Sequence, residues 1–207
     1  RGLGDVYKRP ILDITDLNSI GAEAAALKRR HACSIPNSIA IDFLADIGPL
    51  VEIGAGGGLW ARRLAERDVD IVAYDTPNFD EDYQDGGTVH THASKLTEVN
   101  WFDGMKRGDP SRATEHADRA LLLSWPDISG EGKYALTALQ SYTGDTVVTI
   151  GEWHDQTFGD YAPGATVSGM SFSADFQAEL EKTFDRRETV PLANWPMFDA
   201  ALIHWKR

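Results

Sequence analysis

The chain of 207 residues is long enough for one α/β domain with a substantial core, and 42% hydrophobic against 25% charged residues is an ordinary globular balance. Its formal net charge of -12 argues against a nucleic-acid partner, whose affinity would come from Lys and Arg neutralising phosphates. No apolar run approaches the roughly 20 residues of a membrane span, and the first residues lack the apolar centre of a secretory leader.

Residues 1–15 carry no periodic signal and are expected to pack as an arm. From Asp16 to about His31 the pattern is helical. Ala22, Ala25, Ala26 and Leu27 form a small apolar face, and Lys28, Arg29 and Arg30 fill the last turn, where cations suit the helix dipole. These basic residues, like Arg62 and Arg63 further on, are read as solvated faces. Cys33 is the only cysteine, so no intrachain disulfide can form and a reducing cytoplasm is the expected compartment. Its own role is read as a small buried or half-buried side chain. Ser34-Ile35-Pro36-Asn37 breaks the pattern, and a second helix runs through Ile39, Ile41, Leu44 and Ala45 to a stop at Gly48-Pro49. Residues 1–47 thus form a helical cap on a single domain whose core is 48–207.

A short apolar strand at 50–53 contains Glu52 and feeds Gly54-Ala55-Gly56-Gly57-Gly58, after which a helix to about Arg67 turns Trp60 and Leu64 toward the sheet. The second strand, 71–75, ends in Asp75-Thr76. Residues 79–92, rich in Asp, Gly, Gln and Tyr, are expected to be a long loop. The third strand falls at 88–93 or at 103–107. The second is preferred, because Gly108-Asp109-Pro110 then supplies a strand end, an acid and a helix opening on proline. Trp101 and Phe102 are read as core, with the wall of a base pocket as the alternative. The fourth strand, 119–124, breaks into Trp125-Pro126-Asp127. A helix over 132–142 and a strand over 146–150 lead to Glu152 and His154, and 155–172 is expected to form a rim loop. A helix over 173–184, capped by Ser173, precedes strands at 188–192 and 199–205. Alternation of strands and helices predicts an α/β fold.

The chemistry concentrates in Glu52-x-Gly54-x-Gly56-x-Gly58. A buried strand feeding a glycine turn that opens a helix is how α/β proteins hold a nucleotide-like ligand, since glycine accepts positive φ and admits close backbone approach. A dinucleotide fingerprint would need glycine at 59, where Leu59 stands, and no Gly-Lys-Ser/Thr phosphate loop is present. Asp75 follows the first glycine by about twenty residues, the interval of a ribose-binding carboxylate. Together these residues resemble motif I and the succeeding acid of the class I S-adenosylmethionine-dependent methyltransferases.

The resemblance runs in strand–helix order from Ile35 to Trp205. It implies a three-layer α/β/α sandwich with a seven-stranded, mostly parallel sheet and an antiparallel C-terminal strand. It also implies S-adenosyl-L-methionine as cofactor. Glu52 would serve its ammonium, and Gly54, Ala55, Gly56 and Gly58 its methionine part. Asp75 with Thr76 would serve the ribose, Asp109 (or Asp103) the adenine, and Ser124 would stand beside the transferable methyl. Cys33-Ser34-Ile35-Pro36 is placed to close over the methionine end.

Ser124-Trp125-Pro126-Asp127 falls where the family has its fourth motif, but the aromatic precedes the proline. The tetrapeptide therefore does not map onto the amine-binding version. Ser124 is a candidate acceptor of a hydrogen bond from the nucleophile, Trp125 a pocket wall, and Asp127, Glu152 and His154 candidate bases. No metal is expected. The implied activity is methyl transfer to an oxygen or nitrogen of a small molecule, with neither nucleic acid nor membrane as partner. The alternative is a non-catalytic protein that keeps the fold and binds S-adenosylmethionine or S-adenosylhomocysteine. Leu59 disfavours a nicotinamide-dependent oxidoreductase.

Overall fold

The computed structural model describes residues 14–76, 84–85, 88–89, 99, 101–127, 132–154, 171–195 and 199–207. Two helices, α1 (Ile14–Arg30) and α2 (Ser38–Ile47), precede β1 (Leu50–Ile53). Then follow α3 (Leu59–Ala65), β2 (Ile71–Asp75), a two-stranded hairpin of β3 (Gln84–Asp85) and β4 (Thr88–Val89), and β5 (Lys106–Arg107). A 3-10 helix (Pro110–Glu115) leads to β6 (Ala120–Ser124), α4 (Tyr134–Ser141) and β7 (Thr146–Gly151). The chain closes with α5 (Ala174–Thr183), β8 (Asp185–Pro191) and β9 (Ala201–Lys206).

Seven strands form one sheet in the order β5-β2-β1-β6-β7-β9-β8. β9 runs antiparallel to both β7 and β8, so the other six strands point the same way. The chain leaves β1 toward β2 and returns on the other side as β6. The order of connection therefore reverses between β1 and β6, and a crevice opens at their carboxyl ends.

Side chains alternate across a strand, so each buried strand serves both faces. Val51, Ile53, Leu121, Leu123, Val147, Ile203 and Trp205 pack with α4 and α5 through Tyr134, Leu139, Phe176 and Leu180. Leu50, Leu122, Val148, Ile150 and Leu202 pack with α2 and α3 through Ala40, Leu44, Trp60 and Leu64. Glu52 shares the parity of Leu50, and Ser124 that of Leu122. Both polar residues thus fall on the α2–α3 face, at the open ends of adjacent strands.

Several expectations are adjusted by the structure. The third strand is the 103–107 alternative, shortened to β5, while Thr88–Val89 belongs to the hairpin outside the main sheet. Among the described side chains of α1, Ala24 and Lys28 are buried, whereas Ala22 and Ala26 are exposed. The helix is rotated so that an amine, not the alanine pair, meets the core. Ile39 is 63% exposed, because Ala40, Ile41 and Leu44 already fill the inner face of α2. β8 begins three residues ahead of the expected 188, with a bulge between Arg186 and Glu188. Asn37 caps α2 through Ala40 N–H, and Ser173 caps α5 through Phe176 N–H. The expected rim loop lies outside the described residues except for Ser171 and Phe172.

The α4–α5 face is anchored by an aromatic group in which Trp205 meets Trp153 at 4.9 Å between ring centres and donates its indole N–H to Thr149 Oγ1 at 2.9 Å. Trp205→Ala is expected to lower stability by about 3–5 kcal/mol through cavity formation. Thr149→Val is expected to cost about 1–3 kcal/mol by stranding the indole donor. Urea unfolding of both variants checks this, and a Trp205→Ala loss below about 1 kcal/mol would contradict it.

Candidate functional site

The glycine loop turns on three positive φ angles, 79° at Gly54, 56° at Gly56 and 74° at Gly58. Gly54 and Ala55 donate their N–H groups to Tyr74 O at 2.9 and 3.0 Å, which ties the loop to the end of β2. At Gly58 the limit is also steric: a Cβ there would stand 2.7 Å from Phe102 Cβ and 2.9 Å from Met105 Sδ. Trp101 N–H closes the far side of the loop on Gly57 O at 2.6 Å. Trp101 and Phe102 therefore brace the glycine turn from outside.

Beside this loop lies a cleft. Glu52 and Ser124–Trp125 contribute from the strand ends, Gly54–Gly57 and Trp60 from the loop and α3, and His31–Cys33 from the arm. Glu52 is 1% exposed, and its Oε2 has no hydrogen-bond partner among the described residues. Burial pushes its pKa up to about 8, the Asp75 charge adds to this, and the Ala61 N–H opposes it. Asp75 is buried against the loop, accepting from Gly56 N–H and, at 2.7 Å, from Thr76 N–H. Burial raises it to about 7 despite those two donors. Thr76 Oγ1, beside it, is buried without a partner among the described residues. Two carboxylates and a hydroxyl thus converge at the open ends of β1 and β2, short of the cation and donors that would satisfy them.

The arm between α1 and α2 lines this cleft through His31, Ala32 and Cys33. Ser34 Oγ accepts from Trp60 Nε1 at 2.8 Å and lies 3.0 Å from Ser124 Oγ, joining the arm to α3 and β6. His31 stacks between Trp101 and Trp195, with ring centres 6.1 Å away on each side. Both indoles donate to arm carbonyls, Trp101 to His31 O at 3.3 Å and Trp195 to Ala32 O at 2.9 Å. Ile35 bridges Ala193. No role for His31, Ala32 or Trp195 is marked in the sequence pattern, whereas Ser34 falls in the segment expected to close over the methionine end.

The candidates beyond β6 separate. Ser124 and Trp125 face the cleft. Asp127 does not: it is 0% exposed and accepts from Tyr134 N–H at 3.0 Å and Ala135 N–H at 3.3 Å. Its carboxylate satisfies the start of α4, and burial raises its pKa to about 6 against those donors. The expectation of a base at Asp127 is thereby corrected to a cap. His154 likewise lies off the cleft lining, with Nε2 2.8 Å from Glu181 Oε1 and its N–H on Gln177 Oε1 at 3.0 Å. Glu152 is buried and accepts from Asp199 N–H at 3.0 Å. Asp109 is exposed and caps the 3-10 helix through Ser111 N–H at 2.8 Å, which directs its carboxylate to that turn instead of toward an adenine. Asp103 is exposed as well.

No protein-family model matches the chain, and no curated protein matches it in sequence. Among solved structures it is similar to an O-methyltransferase from Bacillus cereus crystallised with S-adenosylhomocysteine. The two are 12% identical, 96% of this chain covers 94% of that one, and the TM-score is 0.50. The fold is that of a class I methyltransferase. The methyltransferase CalO6 is 14% identical over 82% of this chain with a TM-score of 0.49, and the chain spans only 60% of its length. Magnesium protoporphyrin IX methyltransferase from Synechocystis is 14% identical over 93% of this chain and 97% of its own, with a TM-score of 0.48.

A carboxyl whose folded pKa lies above its unfolded value binds more protons folded than unfolded. Stability then falls as pH rises from about 4 to about 8 and levels off above. Glu52→Gln removes that cost, so the variant is expected to be more stable than the native protein at pH 8.5 by about 2–4 kcal/mol. The gain should shrink toward zero near pH 4. Thermal melts across this range test it; an unchanged difference at all pH values would show that Glu52 is not the titrating group.

Proposed function

We propose that the chain is an S-adenosylmethionine-dependent methyltransferase acting on an oxygen or nitrogen of a small molecule. The observation that carries this reading is Glu52, a buried carboxyl group on the lining of a glycine-bounded cleft, one oxygen of which has no hydrogen bond among the described residues. Such a group is costly unless a cationic ligand answers it, and a ligand ammonium does so. Asp75 and the hydroxyl of Thr76, which has no partner among the described residues, suit the ribose hydroxyls at the end of β2. Gly54, Ala55 and Gly56, on the cleft lining, suit the methionine part, with Gly58 holding the turn against Phe102 and Met105. These residues fit the cofactor; they stand at the carboxyl ends of β1 and β2, by the crevice where α/β sheets bind ligands, and the similarity in fold to a methyltransferase supports the reading.

S-adenosylmethionine, when bound, supplies a methyl carbon already activated by its sulfonium. The protein's part is chiefly orientation and exclusion of water, and orientation alone contributes up to roughly 7–11 kcal/mol to such reactions. The arm serves that exclusion: Ser34 is hydrogen bonded to Trp60 and stands beside Ser124, and both of those line the cleft. Ser124 and Trp125, at the end of β6, wall the side from which an acceptor would approach. Asp127 and His154, engaged elsewhere, are replaced in this reading by Ser124 as the hydrogen-bonding group on the nucleophile.

Calorimetry with S-adenosylmethionine and S-adenosylhomocysteine tests the reading. Both should bind at micromolar levels, and Asp75→Ala and Glu52→Gln should each weaken binding about 10–100-fold through a lost charge-assisted contact. Because a cationic ligand selects the ionised carboxylates, affinity should rise from pH 6 to pH 8, with protons released on binding in that window. No binding at millimolar concentrations ends the proposal.

A further inference from the structure

Ser124 is the only polar residue of β6, and it lies on the cleft lining. Backbone contacts fix its place. Ser124 pairs with Ile150 in β7, and Trp125, turned to a φ of 51°, donates its N–H to Ile150 O at 2.9 Å. That left-handed conformation is rare for a bulky residue, and strain held at the edge of a cleft commonly marks a functional surface. The direction of the hydroxyl protons follows from counting donors and acceptors. Ser34 is 5% exposed, and its Oγ has two hydrogen-bond partners among the described residues, Trp60 Nε1 at 2.8 Å and Ser124 Oγ at 3.0 Å. An indole nitrogen only donates, so the single hydroxyl proton of Ser34 has one outlet there, Ser124 Oγ. The opposite direction would leave that proton buried without an acceptor, at a cost of about 1–3 kcal/mol. Ser124 is only half-buried, so its own proton is left for the cleft, where water or a ligand answers it. The end of β6 thus presents a donor, where the sequence suggested an acceptor.

Resting on the methyl-transfer reading above, we propose that the methyl acceptor is a carboxylic acid, bound as its carboxylate with one oxygen accepting the hydroxyl proton of Ser124. A hydrogen bond to a charged oxygen is roughly twice as strong as one between neutral groups. The carboxylate also keeps lone pairs for attack beside the one that Ser124 holds. A neutral amine has a single lone pair, needed for the new bond, so a donor at this place gives it nothing. In the transfer a carboxylate oxygen bonds to the methyl carbon as the carbon–sulfur bond breaks. An anion and a sulfonium become an ester and a thioether, and no proton moves. The reaction requires no base, in keeping with Asp127, Glu152 and His154 being engaged with other parts of the chain. Glu52 on the same lining, with Asp75 one strand away, repels such an acceptor until a cationic ligand offsets them. The acceptor therefore follows the cofactor into the cleft.

The probes are trifluoroacetate and trifluoroethanol, an anion and a hydroxyl donor of similar size, small enough to enter any acceptor site and followed by fluorine NMR. The cofactor site is filled with sinefungin, which carries an ammonium where S-adenosylmethionine carries its methylated sulfonium. The native complex should bind trifluoroacetate at least about tenfold more tightly than trifluoroethanol, and leaving out sinefungin should remove that preference. Ser124→Ala should weaken trifluoroacetate about 10–100-fold and leave trifluoroethanol within about threefold, whereas a general loosening of the site would weaken both alike. Trifluoroethanol binding to the native complex as tightly as trifluoroacetate overturns the proposal, whether or not the variant folds. An unchanged preference, or an equal loss of both probes, in a Ser124→Ala variant that melts like the native protein overturns it too. Sinefungin bound without any trifluoroacetate binding defeats this proposal alone. A native protein that binds no sinefungin by calorimetry defeats the methyltransferase reading first and this proposal with it.

Discussion

A carboxylate kept out of water without a matching cation is the constraint around which the cleft is built. Glu52 lies at the end of β1, on the face shared with α2 and α3, and one of its oxygens has no partner among the described residues. Asp75, one strand away, raises its pKa further by like-charge repulsion. A folded chain tolerates this only if the rest of the sheet is well satisfied. Here it is, by two apolar faces packed on helices and by the aromatic group around Trp205. Stability stored in the scaffold offsets a site left electrostatically incomplete.

The glycine loop and the arm solve two different problems at that site. The loop must bring backbone close to the strand ends, and three positive φ angles with contacts from Phe102 and Met105 leave little alternative to glycine at Gly58. The arm must line the cleft without becoming part of the sheet. Its carbonyls accept from the indoles of Trp101 and Trp195, its His31 ring is stacked between them, and Ser34 reaches both Trp60 and Ser124. These contacts come from widely separated parts of the chain, so the placing of the arm depends on completion of the sheet. The same placing carries Lys28 onto Trp125.

Much of this was legible in the residues themselves. The run Leu50 to Leu59 predicts strand, turn and helix because apolar burial, glycine conformations and helix initiation are local properties of consecutive residues. Asp75 was legible by its interval from the glycines, and Ser173 as a cap by its place before an amphipathic run. β5 was harder, because two exposed residues show no period and pair only where β2 offers an edge. Asp127 was misjudged as a base for a related reason. Its partners, the first N–H groups of α4, lie seven and eight residues later, and which acid they meet depends on how the intervening chain folds back.

The sequence by itself determined the alternation of strands and helices, the carboxylate-and-glycine turn, and the second acid at its set distance. Each follows from covalent neighbours and their intrinsic periods. The tertiary structure alone decided the rotation of α1 that buries Lys28 while exposing Ala22 and Ala26, the capping duty of Asp127, and the pairing of Ser34 with Trp60. Those outcomes hinge on which surfaces meet after the sheet has formed. Residues distant along the chain then compete for the same buried donors and acceptors, and that competition leaves no mark on any short stretch of sequence.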